Sequence, residues 1–317
     1  HCIDTGEPCD AYHSTCNGRC ENCIASGPGK DMFESTQIIG EKQAVLATEL
    51  FERAGDRAVT AGSTSGKVDY RHSFVKMKGR NVTYTDVNTG DLKWDYLCSP
   101  SMGYAFAAGT TDGPGMFNFE QGATTGNIFW NHVRDFLSTP TEDEMKCQAP
   151  KPILLNTGDV EKPHAWDPTT VPVQIIRLNT LFILGAPCEL TTMAGRRVRD
   201  SVRPYLQDLV DKEAQASGME QGDEVSIVIA GLANSYSSYV TTFEEYQAQR
   251  YEAASTIFGP HTLSGYIQEF TRLAADMSNG EPSQTDDPPA DYSDKLIGYI
   301  KDSPHDEPPP LGKHFGD

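Results

Sequence analysis

The apolar residues of this chain fall into two rhythms. Glu224-Val225-Ser226-Ile227-Val228-Ile229-Ala230-Gly231 is a β-branched run ended by glycine, the pattern of a buried strand that turns sharply into a loop, Leu232 to Thr241. Ile153 to Leu155, Val173 to Leu178 and Leu181 to Gly185 also read as short strands. The last two are spaced for a hairpin across Asn179-Thr180, a weaker turn signal than Asn-Gly. Strands are expected within 68–84 as well. Helical spacing marks three other stretches. Ile38, Ile39, Val45, Leu46, Leu50 and Phe51 predict a surface helix over Met32 to Ala54, closed by Gly55. Val198, Val202, Tyr205, Leu206, Leu209 and Val210 mark the buried face of a helix over Thr192 to Ala216. Thr242 offers an N-cap and Glu245 completes a capping box, so a third helix is predicted from about Phe243 to Ile257.

Strand, loop and helix in this succession predict an α/β fold of mixed sheets layered with helices, preceded by a disulfide-rich N-terminal loop segment. The joints that follow strands in such folds usually hold ligands. Leu97 to Gly126 reads mostly as loop, and its glycines lack the Lys-Ser/Thr that a phosphate loop needs. Ser278 to Asp294 is acidic and proline-rich, the composition of an exposed loop.

Composition changes the picture in two places. The formal charge of −19 argues against a nucleic-acid partner, which needs clustered Lys and Arg. No apolar run approaches the roughly 20 residues that span a bilayer. His1-Cys2-Ile3-Asp4 lacks the basic start and apolar core of a leader, so the chain is expected to begin internally or after a removed leader.

Five of the eight cysteines, Cys2, Cys9, Cys16, Cys20 and Cys23, lie among Gly, Asp, Asn and Ser, with almost no apolar core. Cross-links are favoured there, with a zinc knuckle at Cys16, Cys20 and Cys23 as the rival reading. The glycosylation sequon Asn81-Val82-Thr83 fits the same secreted or extracellular setting. Cys98 and Cys147 bracket a glycine-rich segment and offer another bridge, while Cys188 beside an apolar strand reads as a buried thiol.

Candidate chemistry concentrates in two stretches. Asn234 to Leu263 carries Tyr236, Tyr239, Tyr246 and Tyr251, and spacing alone is equally served by packing. Glu189 stands at a strand end before a helix, where a solvated carboxylate favoured by the helix dipole explains it as well as chemistry does.

Taken together, Ala186-Pro187-Cys188-Glu189-Leu190-Thr191-Thr192-Met193-Ala194-Gly195-Arg196-Arg197, the stretch around Tyr236-Ser237-Ser238-Tyr239, and Gly109-Thr110-Thr111-Asp112-Gly113-Pro114-Gly115 with Phe117-Asn118-Phe119-Glu120-Gln121-Gly122 closely resemble the neutral ceramidase family. The likeness extends over nearly the whole chain, including Cys2 to Gly29 and Lys151-Pro152-Ile153-Leu154-Leu155. It implies a zinc-dependent amidase that cleaves the N-acyl bond of ceramide to sphingosine and a fatty acid, drawing substrate from a membrane surface. Glu189 and Tyr239 match two Zn2+ ligands of the family, and Tyr251 matches a tyrosine that assists at the reacting carbonyl. The resemblance also implies the pairs Cys2–Cys16, Cys9–Cys23 and Cys98–Cys147.

The match has gaps. The family's nucleophilic serine, in an Asn-x-Gly-Asp-x-Ser-Pro-Asn stretch, and its two histidine ligands have no counterpart here and are expected in an upstream N-terminal piece. Asn156-Thr157-Gly158-Asp159-Val160-Glu161 is a lookalike with Glu161 in the serine's place. None of His13, His72, His132, His164 or His261 matches a ligand. The organisation expected is a loop segment at 1–30 and the central part of a catalytic domain at 31–317, leading towards an immunoglobulin-like domain beyond His314-Phe315-Gly316-Asp317. Two alternatives follow from the gaps: a non-catalytic extracellular lipid-binding fragment, or an amidase for another N-acyl lipid.

Overall fold

The computed structural model describes residues 2, 5–7, 27–60, 67–86, 88–110, 113–115, 117–162 and 164–291, the side chains of 54–60 excepted. In chain order it contains α1 (Met32–Thr60), β1 (Val68–Lys76), β2 (Asn81–Thr85), β3 (Leu92–Tyr96), β4 (Met102–Gly103), a 3-10 turn (Tyr104–Ala108), β5 (Gly109–Thr110) and β6 (Gly113–Pro114). There follow α2 (Ile128–Leu137), α3 (Glu142–Cys147), β7 (Ile153–Leu155), a second 3-10 turn (Thr157–Asp159), β8 (Thr170–Leu178), β9 (Leu181–Gly185) and β10 (Glu189–Leu190). The last elements are α4 (Thr192–Ala216), β11 (Ser226–Ala230), β12 (Tyr239–Val240), α5 (Phe243–Ala248), α6 (Tyr251–Ala254) and α7 (Thr262–Asn279). The α/β expectation is met.

One sheet, in the order β1-β8-β9-β11, organises the rest. β8 pairs antiparallel with β1 and β9, while β11 joins β9 in parallel. Alternation puts Val171, Val173 and Ile175 of β8 on one face with Phe182 and Leu184 of β9, all buried. The β8–β9 hairpin turns at Asn179, whose φ of 56° is left-handed, a conformation asparagine tolerates better than most residues. The Asn179 amide oxygen accepts from the Lys67 N–H at 2.7 Å, fixing that turn.

Two helices cover the buried face. α4 starts at Thr191, whose hydroxyl accepts from the Ala194 N–H, and turns Ala194, Val198, Val202, Leu206 and Leu209 inward. Tyr205, read from the sequence as part of that face, is 40% exposed, because it sits beside the stripe rather than in it. α7, which the sequence reading did not identify, buries Leu263, Tyr266, Phe270, Leu273 and Met277 against the same core. Their alternating spacing of three and four residues is the signal that could have found it.

Other expectations need correction. α1 runs through Gly55 to Thr60 rather than ending there, since an exposed helix loses only a modest amount at one glycine. Leu97 to Gly126 is not all loop, as it contributes β4, the first 3-10 turn, β5 and β6. Within Ser278 to Asp294 the described residues are exposed or half-buried, yet Asp286 N–H donates to Phe74 O at 2.9 Å and Phe74 N–H donates to the Thr285 hydroxyl at 2.9 Å, so the segment lies along the edge strand β1.

The single helix predicted over 243–257 is two. Thr242 and Glu245 do form the capping box. The helix then stops at Gln249, whose φ of 47° is left-handed, and restarts at Tyr251. Burial explains the break: the Gln249 side-chain amide donates to Tyr246 O at 2.7 Å, and Gln249 O accepts from Gly122 N–H at 2.8 Å.

Cys98 and Cys147 form a disulfide, as the resemblance implied. Cys188 is buried, and burial raises its thiol to about 12, so it stays protonated at neutral pH. Cys9, Cys16, Cys20 and Cys23, with the pairings expected for them, lie outside the described residues. Among the described residues no helix is long and apolar enough to cross a membrane.

Candidate active site at the strand ends

Glu189 and Tyr239 are brought together by backbone pairing. β10 and β12 run in parallel with Glu189 opposite Tyr239, Glu189 N–H donates to Ser238 O at 2.9 Å, and Thr191 N–H donates to Val240 O at 3.0 Å. The loop between β11 and β12 is fastened to the same strand end. Ala233 N–H reaches Ala186 O at 3.0 Å and Ser237 N–H reaches Pro187 O at 2.6 Å. The Ser237 hydroxyl lies 2.8 Å from the Tyr266 hydroxyl of α7, linking the loop to the core. Leu232, Asn234 and Ser238 all take positive φ, between 59° and 66°. For non-glycine residues this costs free energy that the surrounding hydrogen bonds must offset, a pattern concentrated at functional sites.

Phenols surround the carboxylate. The Tyr236 hydroxyl donates to Glu189 Oε1 at 2.8 Å. The Tyr239 ring meets the Tyr251 ring edge-on, with centroids 5.6 Å apart at 81°, and Phe106 lies 6.2 Å beyond Tyr251. Burial, then the Glu189 charge, raises the Tyr236 phenol to about 12, and the same two causes push Tyr239 further up. Both phenols are therefore neutral hydrogen-bond donors at neutral pH.

The four tyrosines take different roles. Tyr246 is fully buried and donates to Gln148 O at 2.8 Å, so for it the packing interpretation holds. Tyr236, for which the sequence left packing and chemistry open, is 50% exposed and touches the carboxylate. The signal for it was its position three residues before Tyr239 in a loop leaving a strand.

A buried polar layer supports the site. The fully buried Lys151 ammonium donates to Ser101 O and Thr256 O, each at 2.8 Å, and the Gln148 side-chain amide donates to Ser99 O and Ile257 O. These bonds hold the segment before β4 to the residues just after α6. Tyr239 N–H donates to Ser255 O at 3.3 Å in that same stretch, so the placements of Tyr239 and Tyr251 are coupled.

Two cavities flank Glu189 and Tyr236. One, of about 460 Å3, is lined by Glu189, Thr192, Arg199 and Leu232 among others. The second, of about 550 Å3, lies beside Tyr236 and Ser238 and is walled by Met102, Thr157, Trp166 and Asp167.

The donor set suits part of a cation shell. No Lys, Arg or His among the described residues forms an ion pair with Glu189, and a phenol oxygen stands beside it on the paired strand. Among the described residues there is no group of three His, Cys, Asp or Glu side chains placed to hold a metal. Carboxylate and phenol oxygens are among the donor types that zinc accepts. His261, His72 and His132 do not fill the gap. His261 is buried, stacked between Tyr84 and Phe243, and kept neutral by burial. His72 packs edge-on against Phe74, His132 is exposed, and His13 lies outside the described residues. The serine-motif lookalike is a structural turn, where Asp159 pairs with Lys78 at 3.1 Å.

Fold and site together define a mixed α/β protein with a carboxylate–phenol cluster at a strand-to-helix joint. The family model described as neutral/alkaline non-lysosomal ceramidase, N-terminal, matches residues 1–268, and the chain belongs to that family. It is 49% identical over all of its length to neutral ceramidase 3 of Arabidopsis thaliana, covering 41% of that protein. It is 44% identical over 96% of its length to the neutral ceramidase of Drosophila melanogaster, covering 44% of that one. Among solved structures, a ceramidase complexed with C2 aligns at TM-score 0.63 and 34% identity over 92% of this chain and 42% of that one. Pseudomonas aeruginosa neutral ceramidase aligns at TM-score 0.60 and 32% identity over 92% of this chain and 40% of that one. The chain thus spans about two fifths of the proteins it matches.

Proposed function

We propose that this chain contributes half of the metal ligands, Glu189 and Tyr239, and the assisting Tyr251 to a zinc-dependent amidase site that hydrolyses the N-acyl bond of ceramide. The observation that carries the reading is the register of β10 and β12, which sets Glu189 opposite Tyr239 with Tyr251 against the Tyr239 ring. Bound zinc supplies Lewis acidity that polarises a carbonyl and favours a deprotonated nucleophile. Tyr251, held by α6 and the Phe106 ring, donates a hydrogen bond as negative charge develops on the carbonyl oxygen. Tyr236 orients the Glu189 carboxylate through the hydrogen bond to Oε1.

In this reading the nucleophilic serine and two histidine ligands come from an upstream piece outside the 317 residues. The protein works in a secreted or extracellular setting and takes its lipid from a membrane surface. In the same reading 31–317 belong to the central part of the catalytic domain.

The test uses the complete protein. Glu189→Ala and Tyr239→Phe lower zinc content and ceramide hydrolysis together, while Tyr251→Phe lowers hydrolysis and leaves zinc in place. Full zinc occupancy in both of the first two variants refutes the ligand assignment.

A further inference from the structure

The two-stranded ribbon β2–β3 has one face anchored and one bare. On its inner side Val82 is buried and the Tyr84 ring stacks on His261 with centroids 3.9 Å apart. On its outer side Leu92, Trp94 and Tyr96, set two apart along β3, are 76%, 71% and 44% exposed. Single apolar residues on a surface are ordinary, whereas three in one row along a strand form a patch. Among the described residues no further strand pairs with β3, and a two-stranded ribbon is marginal in water by itself. The bare face therefore calls for a cover.

The register of the ribbon supplies one. Asn81 of β2 stands opposite Tyr96, Thr83 opposite Trp94 and Thr85 opposite Leu92, and residues opposed in an antiparallel pair point to the same face. Asn81 and Thr83 are both exposed on that face. They begin and end Asn81-Val82-Thr83, the only Asn-x-Ser/Thr sequence in the 317 residues. The Asn81 carbonyl accepts from the Gln268 side-chain amide at 3.2 Å, which holds the backbone of β2 towards α7 and leaves the Asn81 side chain on the open face. Opposed side chains lie about 5 Å apart at Cβ and diagonal ones about 7–8 Å, so a sugar on Asn81 reaches both the Tyr96 and the Trp94 ring. The C–H face of a pyranose is apolar and slightly positive, the complement of the negative face of an aromatic ring.

We propose that Asn81 carries an N-linked glycan whose first sugar lies on the rings of Tyr96 and Trp94 and secures the β2–β3 ribbon. In the transfer the Asn81 amide nitrogen gives up one proton and bonds the anomeric carbon of an N-acetylglucosamine. The bond from that carbon to a diphospholipid carrier breaks, and the lipid diphosphate leaves. Beyond the first sugar the hydrated glycan keeps other chains from pairing with the β3 edge. The glycan requires the secretory setting proposed above and is independent of the amidase chemistry.

The experiment secretes the complete protein from a eukaryotic host behind an added leader and maps the peptide containing Asn81 by mass spectrometry. Asn81 is occupied, and hydrogen exchange over 81–85 and 92–96 is about threefold slower than in Asn81→Gln, the size of one cross-strand aromatic contact. Trimming the glycan to its first sugar keeps that protection, because the contact belongs to that sugar. Tyr96→Thr and Trp94→Thr each leave Asn81 occupied and shrink the difference between the glycosylated chain and its Asn81→Gln counterpart, and the two together abolish it. Each comparison is made within one background, so the loss that a substitution causes by itself cancels, and the single variants serve if the double one does not fold. An unoccupied Asn81 overturns the proposal, as does equal exchange with and without the sugar, or a protection that survives loss of the rings. A second arm makes the complete protein with its natural start. A glycan that forms only behind the added leader, with the ring-dependent protection, upholds the acceptor and its platform and rejects the secretory setting.

Discussion

The sheet layer and the Glu189–Tyr239 loop are built on opposite terms. Under α4 and α7 the backbone is regular and the side chains that meet, Phe182, Leu184, Val198, Phe270 and Leu273, are apolar and almost wholly buried. From 232 to 249 four non-glycine residues take positive φ, and what holds them is a mesh of hydrogen bonds to 186–191 and to the buried polar layer. The layer stores stability, and the loop uses it to keep an unfavourable backbone in place. Substitutions in the two regions therefore produce different losses, folding in one and chemistry in the other.

The largest expected effect lies in the layer. Phe182→Ala removes a fully buried ring and costs about 3–5 kcal/mol in denaturant unfolding. A cost below about 1 kcal/mol would show that the core is not where the sheet places it. Next comes the disulfide on the loop's side. Replacing Cys98 and Cys147 with alanine opens a link across 49 residues and costs about 2–4 kcal/mol. Because Cys98 N–H also donates to Phe258 O at 3.0 Å, this change should lower thermal stability and loosen the stretch after α6 together, read by hydrogen exchange at 255–258. Thr242→Ala removes the capping box of α5 and costs about 1 kcal/mol, with a proportionally larger effect on activity than on melting temperature.

The smallest effects are read by pH. Glu213 is drawn from 4.5 to about 2, chiefly by the paired Arg177 and then by Lys67, and it ties β8 to α4. A depressed carboxyl contributes stability that is complete above its unfolded value and lost as pH falls through its folded one. Glu213→Gln should therefore flatten the acid side of the stability curve between about 4.5 and 2, measured by unfolding at stepped pH. Tyr236 behaves in the opposite sense. Its phenol is raised from 10.0 to about 12, so its contribution is complete below about 10 and lost as pH rises through about 12. Glu189→Gln removes one cause of the rise and should lower the phenolate midpoint in an ultraviolet titration. An unchanged midpoint would mean that burial alone sets it.

Much of the fold was legible from spacing. Thr192–Ala216 and Leu181–Gly185 have the boundaries that periodicity predicted, because each has an obvious apolar pattern and a clear end. α7 is equally regular, with its buried residues spaced alternately by three and four. The break at Gln249 carried no local signal, since nothing in Gln249-Arg250 opposes a continuous helix. It arises from contacts with Gly122 and Tyr246 that only the folded chain creates.

For the site, sequence by itself determined which residue types are available: the carboxylate of Glu189, the phenols of 236–251, and the family resemblance that singled out Glu189, Tyr239 and Tyr251. Tertiary structure decided how those groups are used. Parallel pairing of two-residue strands brought together positions fifty residues apart, and burial sent Tyr246 into the core while leaving Tyr236 on the carboxylate. Side-chain chemistry is a local property of the chain, whereas neighbours, burial and hence proton affinity are set by long-range contacts.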